Sequence, residues 1–208
     1  MMRTPDRDND FSALLDGAVG PTDVDLAALH ARLADRADAA GLLDVAYRTV
    51  DTPVGTLLLA ATLTGLVRVA YEREGFEAVL ENLAGTVSPR LLESPSRLDA
   101  ASRQLEEYFA GRRRRFDLPV DLAHLTGFRR TVLTYLPGID YGQTATYGAV
   151  AAAVHNPKAV RAVGTACATN PLPLVIPCHR VVRSDGAVGG YLGGSETKRE
   201  LLELEATA

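Results

Sequence analysis

"YGQTATYGAVAAAVHNPKAVRAVGTACATNPLPLVIPCHRVV" runs from Tyr141 to Val182. Two short runs of small and apolar residues, Tyr147 to Val154 and Pro157 to Thr169, are joined by the tight His155-Asn156-Pro157. Pro157 suits a first helical position, where the missing N–H would have no partner in any case. The pattern predicts a helix-turn-helix, although any αα-hairpin with a three-residue turn has the same outline. Lys158 and Arg161 in the second helix suit phosphates and stacking on bases. Ala159, Ala162, Gly164, Ala166 and Ala168 would let its backbone lie close to whatever it faces, but dense alanine is equally a closely packed helix.

Downstream, Asn170-Pro171 and Pro173 break the second helix, and Leu174 to Ile176 reads as a short buried strand. Pro177 then fixes the backbone one residue before Cys178-His179. A thiol becomes a useful nucleophile when a neighbour takes or stabilises its proton, and histidine is the commonest neighbour to do so. Adjacent side chains in an extended segment point to opposite faces, so a water or a bend would have to join this pair. The histidine would need a carboxylate to orient it, and Glu200, Glu203 and Glu205 in the last predicted helix are candidates. A bare Cys-His pair is equally an inert buried thiol beside a surface histidine. The segment "RSDGAVGGYLGG", Arg183 to Gly194, adds a glycine loop whose backbone can approach a ligand closely beneath Tyr191.

Working towards the N-terminus, Thr126 can cap a helix through Phe128, Val132, Leu133 and Leu136 that ends at Pro137-Gly138. "FDLPVDL", Phe116 to Leu122, is an extended link. The basic run Arg112 to Arg115 follows Gly111 and reads as a solvated helix end. Helical spacing predicts helices near Gly75 to Ala84 and Ser96 to Ala110, the second with Leu98, Ala101, Leu105, Tyr108 and Phe109 on one face. Val45 to Val50, Gly55 to Thr62 and Gly65 to Tyr71 are β-like runs separated by turn residues, which predicts a small antiparallel meander. Before them Leu26, Leu29, Leu33 and Ala37 recur at helical spacing between a possible cap at Thr22 and a stop at Gly41. Residues 1 to 21 read as a mobile tail.

The chain has 208 residues, of which 47% are apolar, enough for one compact domain or two small ones. No apolar run approaches the roughly 18 to 20 residues of a membrane span, and the N-terminus lacks the pattern of a secretory signal. The expected location is the cytoplasm. Cys167 and Cys178 are then expected to be free thiols, and their spacing with His179 is not that of a zinc site. The net charge of −4 divides as −5 over residues 1–45, −3 over 46–110 and +4 over 111–208. The basic C-terminal half can meet a polyanion locally despite the acidic total.

"PCHRVV", with "NPLPLVI" upstream and "GAVGGYLGG" downstream, closely resembles the O6-alkylguanine-DNA alkyltransferases, also called methylated-DNA–protein-cysteine methyltransferases. The resemblance runs from about Val45 to Glu205. "VAYRTVDTPVGTLLLAAT" and "EEYFAGRRRRFDLPVDL" are similar to that family's N-terminal domain. It implies an α+β chain with a small sheet-and-helix, ribonuclease H-like domain at 45–121 and a mostly helical catalytic and DNA-binding domain at 122–208. Residues 1–44 are an extension with no role assigned.

The resemblance further implies a DNA-repair reaction in which the alkyl group of O6-alkylguanine, and of O4-alkylthymine, passes once and irreversibly to Cys178. His179 would be the base acting through a water and Glu205 the carboxylate that polarises it. Asn170 would hold the helix-turn-helix to the active-site segment and hydrogen-bond near the cysteine. Tyr147 would help rotate the nucleotide and donate to the flipped base, Arg161 would fill the gap in the duplex, and Tyr191 would close over the base. Lys158, Arg180, Gly189 and Gly190 complete the expected contacts to DNA and base. The expected partner is double-stranded DNA with alkylated bases, bound through the minor groove by a monomer, with no metal, no cofactor and no membrane. Leu192 stands where some relatives carry a small polar residue. The zinc site of some animal relatives has no cysteines available here, and the non-catalytic alkyltransferase-like proteins, which lack the cysteine, fit poorly. The residues alone also admit a cysteine-histidine hydrolase or acyltransferase, and a DNA-binding regulator without repair chemistry.

Overall fold

The structure, a computed structural model, describes residues 23–207. The tail and the Thr22 cap expected from sequence lie outside them. Helix α1 (Asp23–Ala39) is followed by β1 (Val45–Val50), β2 (Leu57–Ala61) and β3 (Leu66–Tyr71), which form the expected antiparallel meander. After α2 (Phe76–Thr86) comes β4 (Leu91–Glu93), which pairs parallel to β1 and completes a sheet in the order β3-β2-β1-β4. Helix α3 (Asp99–Phe109) then leads into the link, whose Val120 bridges Leu66 at the free edge of β3.

Every residue of β2 is buried, and the period of two explains how. Leu58 and Ala60 face α2 through Val79 and Leu83, whereas Leu57, Leu59 and Ala61 face the main core. A strand covered on both sides reads as an apolar run and not as alternation. Helix α3 buries Ala101, Leu105 and Tyr108, positions four and three residues apart on one stripe. That stripe shares its core with Val132, Leu133, Cys167, Cys178 and Leu201 of the C-terminal half, so one apolar interior runs through both halves.

The C-terminal half contains α4 (Gly127–Tyr135), β5 (Ala145–Thr146), α5 (Tyr147–Ala153), α6 (Val160–Ala168), β6 (Val181–Val182) and α7 (Ser195–Thr207). Strands β5 and β6 pair in parallel and tie the start of α5 to the residues just beyond Cys178. Thr146 caps α5, its Oγ1 accepting from the Ala149 N–H at 3.1 Å. The α5–α6 hairpin is the expected helix-turn-helix, but its second helix begins at Val160 and not at Pro157. The turn is closed by the Ala159 N–H donating to Asn156 O at 2.9 Å, which leaves Pro157 and Lys158 within it.

One further expectation is corrected. Leu174 to Ile176 form no strand: Leu174 has φ 74°, and the Ile176 N–H turns back to Leu172 O at 2.8 Å. Pro171, Pro173 and Pro177 lack the donors a ladder needs, so an apolar run among them folds as a turn. The apolar stripe of α1 is largely exposed, with Leu26, Leu29 and Leu33 at 41–56%, while Ala34 is buried. The helix is held by Arg97, which bonds Asp38 and the Leu43 carbonyl.

Candidate active site

The buried polar residues of the C-terminal half gather around Cys178. Asn170 follows α6 and is wholly buried; its Nδ2 donates to Ile176 O at 2.8 Å and to Cys178 Sγ at 3.1 Å, and its Oδ1 accepts from the Leu172 N–H at 3.0 Å. One amide therefore fixes both the proline-rich turn and the sulfur. Cys178 opens a single 3-10 turn, Cys178–Arg180, whose three side chains are all buried. That turn supplies the bend that an extended Cys-His pair would lack.

The His179 ring is fully buried, with Nε2 2.9 Å from Glu205 Oε1 and Nδ1 without a partner among the described residues. Of the three candidate glutamates, Glu200 and Glu203 are exposed on α7, and only Glu205 turns inward to meet the histidine. Glu205 also accepts from Arg180 Nε and Nη2, both at 2.9 Å, from Tyr108 Oη at 2.7 Å and from the Gly142 N–H at 3.1 Å. Gly142 has φ 73°, and a Cβ there would lie 2.9 Å from the Glu205 carbonyl, so the close approach requires glycine.

This geometry corrects the expectation for Arg180. The side chain is 5% exposed, with Nε and Nη2 on Glu205 and Nη1 on Ile139 O at 2.6 Å, so it supports the carboxylate and is not free to meet DNA.

Charge and burial oppose one another here. Burial pushes the Cys178 thiol up to about 11, partly offset by the Asn170 donor and the positive charge of Lys198. His179 is lowered, first by burial, against the pull of Glu205. Glu205 is held at about 2, because the His179, Arg180 and Tyr108 donors outweigh the burial that would raise it. The resting triad is therefore thiol, neutral imidazole and carboxylate, and Cys178 is 2% exposed. Desolvation of the sulfur thus outweighs the histidine beside it in the resting protein. Cys167 lies on the buried face of α6, its thiol pushed up to about 12 chiefly by burial.

Sequence does not single out Lys198, since a lysine in an amphipathic helix reads as a solvated group. It is wholly buried: Nζ donates to Val181 O at 2.5 Å and sits 5.8 Å from the centre of the Tyr147 ring, and no carboxylate among the described residues pairs with it. Tyr147 starts α5, half-buried, and its Oη would lie 3.2 Å from a Cβ at Gly189, which has φ 74°. Gly190 is exposed, and Tyr191 bonds Tyr71 of β3 through the two hydroxyls at 2.9 Å, its ring 6.2 Å from that of His179. Lys158 and Arg161 are exposed, as are Ala162, Thr165 and Ala168, while Val163, Ala166 and Cys167 face inward. The outward face of α6 is thus mostly small side chains beyond Val160, with Arg161 in its first turn and Lys158 in the turn that precedes it. Arg113 and Arg115 of the basic run pair with Glu107 and Asp140, which fits a solvated helix end.

Comparison with known proteins follows the same division. Residues 45–122 match the ribonuclease-like domain of 6-O-methylguanine DNA methyltransferase, and residues 127–207 match its DNA binding domain. The constitutive methylated-DNA–protein-cysteine methyltransferase of Bacillus subtilis is 39% identical over 163 residues, covering 76% of this chain and 94% of the relative. The methylated-DNA–protein-cysteine methyltransferase of Methanosarcina acetivorans is 38% identical over 161 residues, covering 77% and 98%. Among solved structures, Mycobacterium tuberculosis O6-methylguanine methyltransferase aligns with a TM-score of 0.70 at 37% identity, covering 78% of this chain and 93% of that one. The same coverage and identity, with a TM-score of 0.68, hold for the crystal structure of Mycobacterium tuberculosis OGT in complex with DNA. No helix among the described residues is long and apolar enough to cross a membrane.

Proposed function

The chain belongs to the 6-O-methylguanine DNA methyltransferase family, and from that premise we propose that Cys178 is the residue to which it transfers an alkyl group from damaged DNA. The activity itself is that of its relatives, methyl transfer from DNA to a protein cysteine, with DNA as partner. The α+β architecture agrees, and the hydrolase and regulator readings give way. The observation that carries the assignment of residues is a pair of buried hydrogen bonds on one turn, from the Asn170 amide to Cys178 Sγ and from His179 to Glu205, with His179 Nδ1 left open for a water to join them.

His179 Nδ1 takes the thiol proton through one water as Sγ attacks the alkyl carbon, and Glu205 stabilises the imidazolium that results. A carbon–sulfur bond forms and the bond from that carbon to guanine O6 breaks; the departing base takes a proton from the Tyr147 hydroxyl, and the proton held by imidazolium returns through solvent to restore the phenol, so the thiol proton ends on guanine. The thioether has no ready leaving route, so each molecule acts once. Burial that disfavours thiolate in the resting protein also excludes competing reagents, and Lys198 contributes the nearby positive charge that eases deprotonation.

A thiol this buried cannot reach a base inside a stacked duplex, so the nucleotide must rotate out into the space beside Gly189, Gly190 and Tyr191. The small outward face of α6 suits close approach in the minor groove, with Arg161 filling the gap and Lys158 on phosphate. One chain holds every group this scheme needs, so the transfer requires no second copy of the protein.

Arg161→Ala and Tyr147→Phe are expected to slow repair of an O6-methylguanine duplex about tenfold more than reaction with free O6-benzylguanine, because unstacking costs a few kcal/mol that the free base never incurs. Paired single-turnover rates on the two substrates check this. Equal losses on both would remove these residues from nucleotide rotation.

A further inference from the structure

The oxygen of Glu205 that meets His179 is shared with the N-terminal half of the protein. Tyr108 lies on α3, fully buried and separated from Glu205 by 97 positions in sequence, yet its hydroxyl donates to Oε1 at 2.7 Å. Oε1 thus serves three donors, Tyr108 Oη, Arg180 Nη2 and His179 Nε2, while Oε2 serves Arg180 Nε and Gly142 N–H. A carboxylate offers about four lone-pair sites, so five donors saturate it. The ring of Tyr108 is held independently by Phe109, Phe116 and Tyr141, with centroids 5.3, 5.3 and 6.0 Å away. Its hydroxyl is therefore placed by packing and does not merely follow the carboxylate.

We infer that Tyr108 is a positioning residue for the transfer reaction: its hydroxyl competes with His179 for Glu205 Oε1 and so limits how strongly the carboxylate favours imidazolium over imidazole. The inference rests on the Cys178–His179–Glu205 reading above. The competition has a definite sign. When His179 becomes charged, it draws electron density from Oε1 and weakens the phenol's hydrogen bond, so the phenol favours the neutral ring. Removing the hydroxyl leaves Oε1 more available and makes His179 a stronger base. The other groups facing His179 are Arg180 on its own turn, Lys198 of α7 and the Tyr191 ring from the glycine loop. Those facing Glu205 are Arg180, Tyr141 and the Gly142 N–H. None of these is removed by a change at Tyr108.

A better base at rest is not the best arrangement for this chemistry. An imidazole that is already protonated cannot accept the thiol proton, so a limit on its basicity keeps the acceptor open as pH falls. Tyr108 gives the N-terminal half a part in setting the working pH range of a cysteine on the other half.

The test is Tyr108→Phe in the full chain, which keeps the ring and removes only the hydroxyl. Single-turnover methyl transfer from an O6-methylguanine duplex is followed by intact mass across pH, and the His179 ring titration by NMR. The acid-side fall in rate and the His179 titration are expected to move together to higher pH, by roughly half a unit or more. Placing 3-fluorotyrosine at position 108, a stronger donor of nearly the same shape, should move both the other way and serves if the phenylalanine variant folds poorly. Tyr71→Phe removes a phenol from the same interface without touching Glu205 and should leave the acid limb in place. A lower rate with an unmoved limb, or a shift in the Tyr71 variant as large as in Tyr108→Phe, overturns the inference while the triad stands. If peptide mapping of the wild-type product places methyl away from Cys178, the triad reading fails and the inference with it.

Discussion

Glu205→Ala is expected to lose about 3–5 kcal/mol of stability, the usual result of removing one partner from a buried ion pair. The reason is what it leaves behind. Arg180 would keep its charge in an interior where only Ile139 O still accepts from it, and Tyr108 Oη, the Gly142 N–H and the His179 ring would each lose an acceptor. Glu205→Gln keeps the shape of the side chain but also strands the Arg180 charge and should be destabilising in its own right. Combining Glu205→Leu with Arg180→Met should cost clearly less than the two single changes summed, because no uncompensated charge remains. Urea unfolding of the four proteins checks this, and additive losses would mean that the pair is not coupled.

The same groups give stability a pH dependence. Glu205, with its pKa lowered to about 2 from 4.5, contributes fully above the unfolded value, and the contribution is lost as pH falls from there toward 2. His179 is lowered below 6.5, so the unfolded chain takes up a proton that the folded one refuses, and acid destabilises through this residue as well.

Cys178→Ser is expected to abolish transfer, a fall of at least about a thousandfold, while folding and DNA binding persist. A serine hydroxyl fits beside Asn170 but yields no comparable nucleophile near neutral pH, and the exposed cations Lys158 and Arg161 lie elsewhere on the helix-turn-helix. Cys167→Ser should retain transfer, since that thiol faces the core from α6. Transfer rates and duplex affinity of both variants check the contrast. Transfer surviving in Cys178→Ser would assign the chemistry to another residue.

Local pattern made much of this legible. The meander, the α5–α6 hairpin, the Cys-His pair and the glycine loop all depend on residues close in sequence, whose periodicity and turn chemistry carry the information. The features missed are non-local. Three-residue β4 has no periodicity of its own and exists because β1 offers an edge. Tyr108 reads correctly as a core residue of α3, but nothing near it shows that its hydroxyl meets a carboxylate on the last helix. Arg180 reads as a free cation beside the cysteine until the Glu205 fork is seen. Lys198 is the same error on α7, a buried lysine that binds a backbone carbonyl. For α1, spacing identified the stripe of Leu26, Leu29 and Leu33 but could not say that it faces outward.

The central claim is that one buried cysteine, and not the other, accepts the alkyl group. The direct measurement is incubation with excess duplex carrying O6-methylguanine, followed by intact mass and peptide mapping. A single added methyl on the peptide containing Cys178, none on that containing Cys167 and no further repair after one lesion per molecule is the expected result. Methyl on Cys167, or continued turnover beyond one lesion per protein, would contradict it.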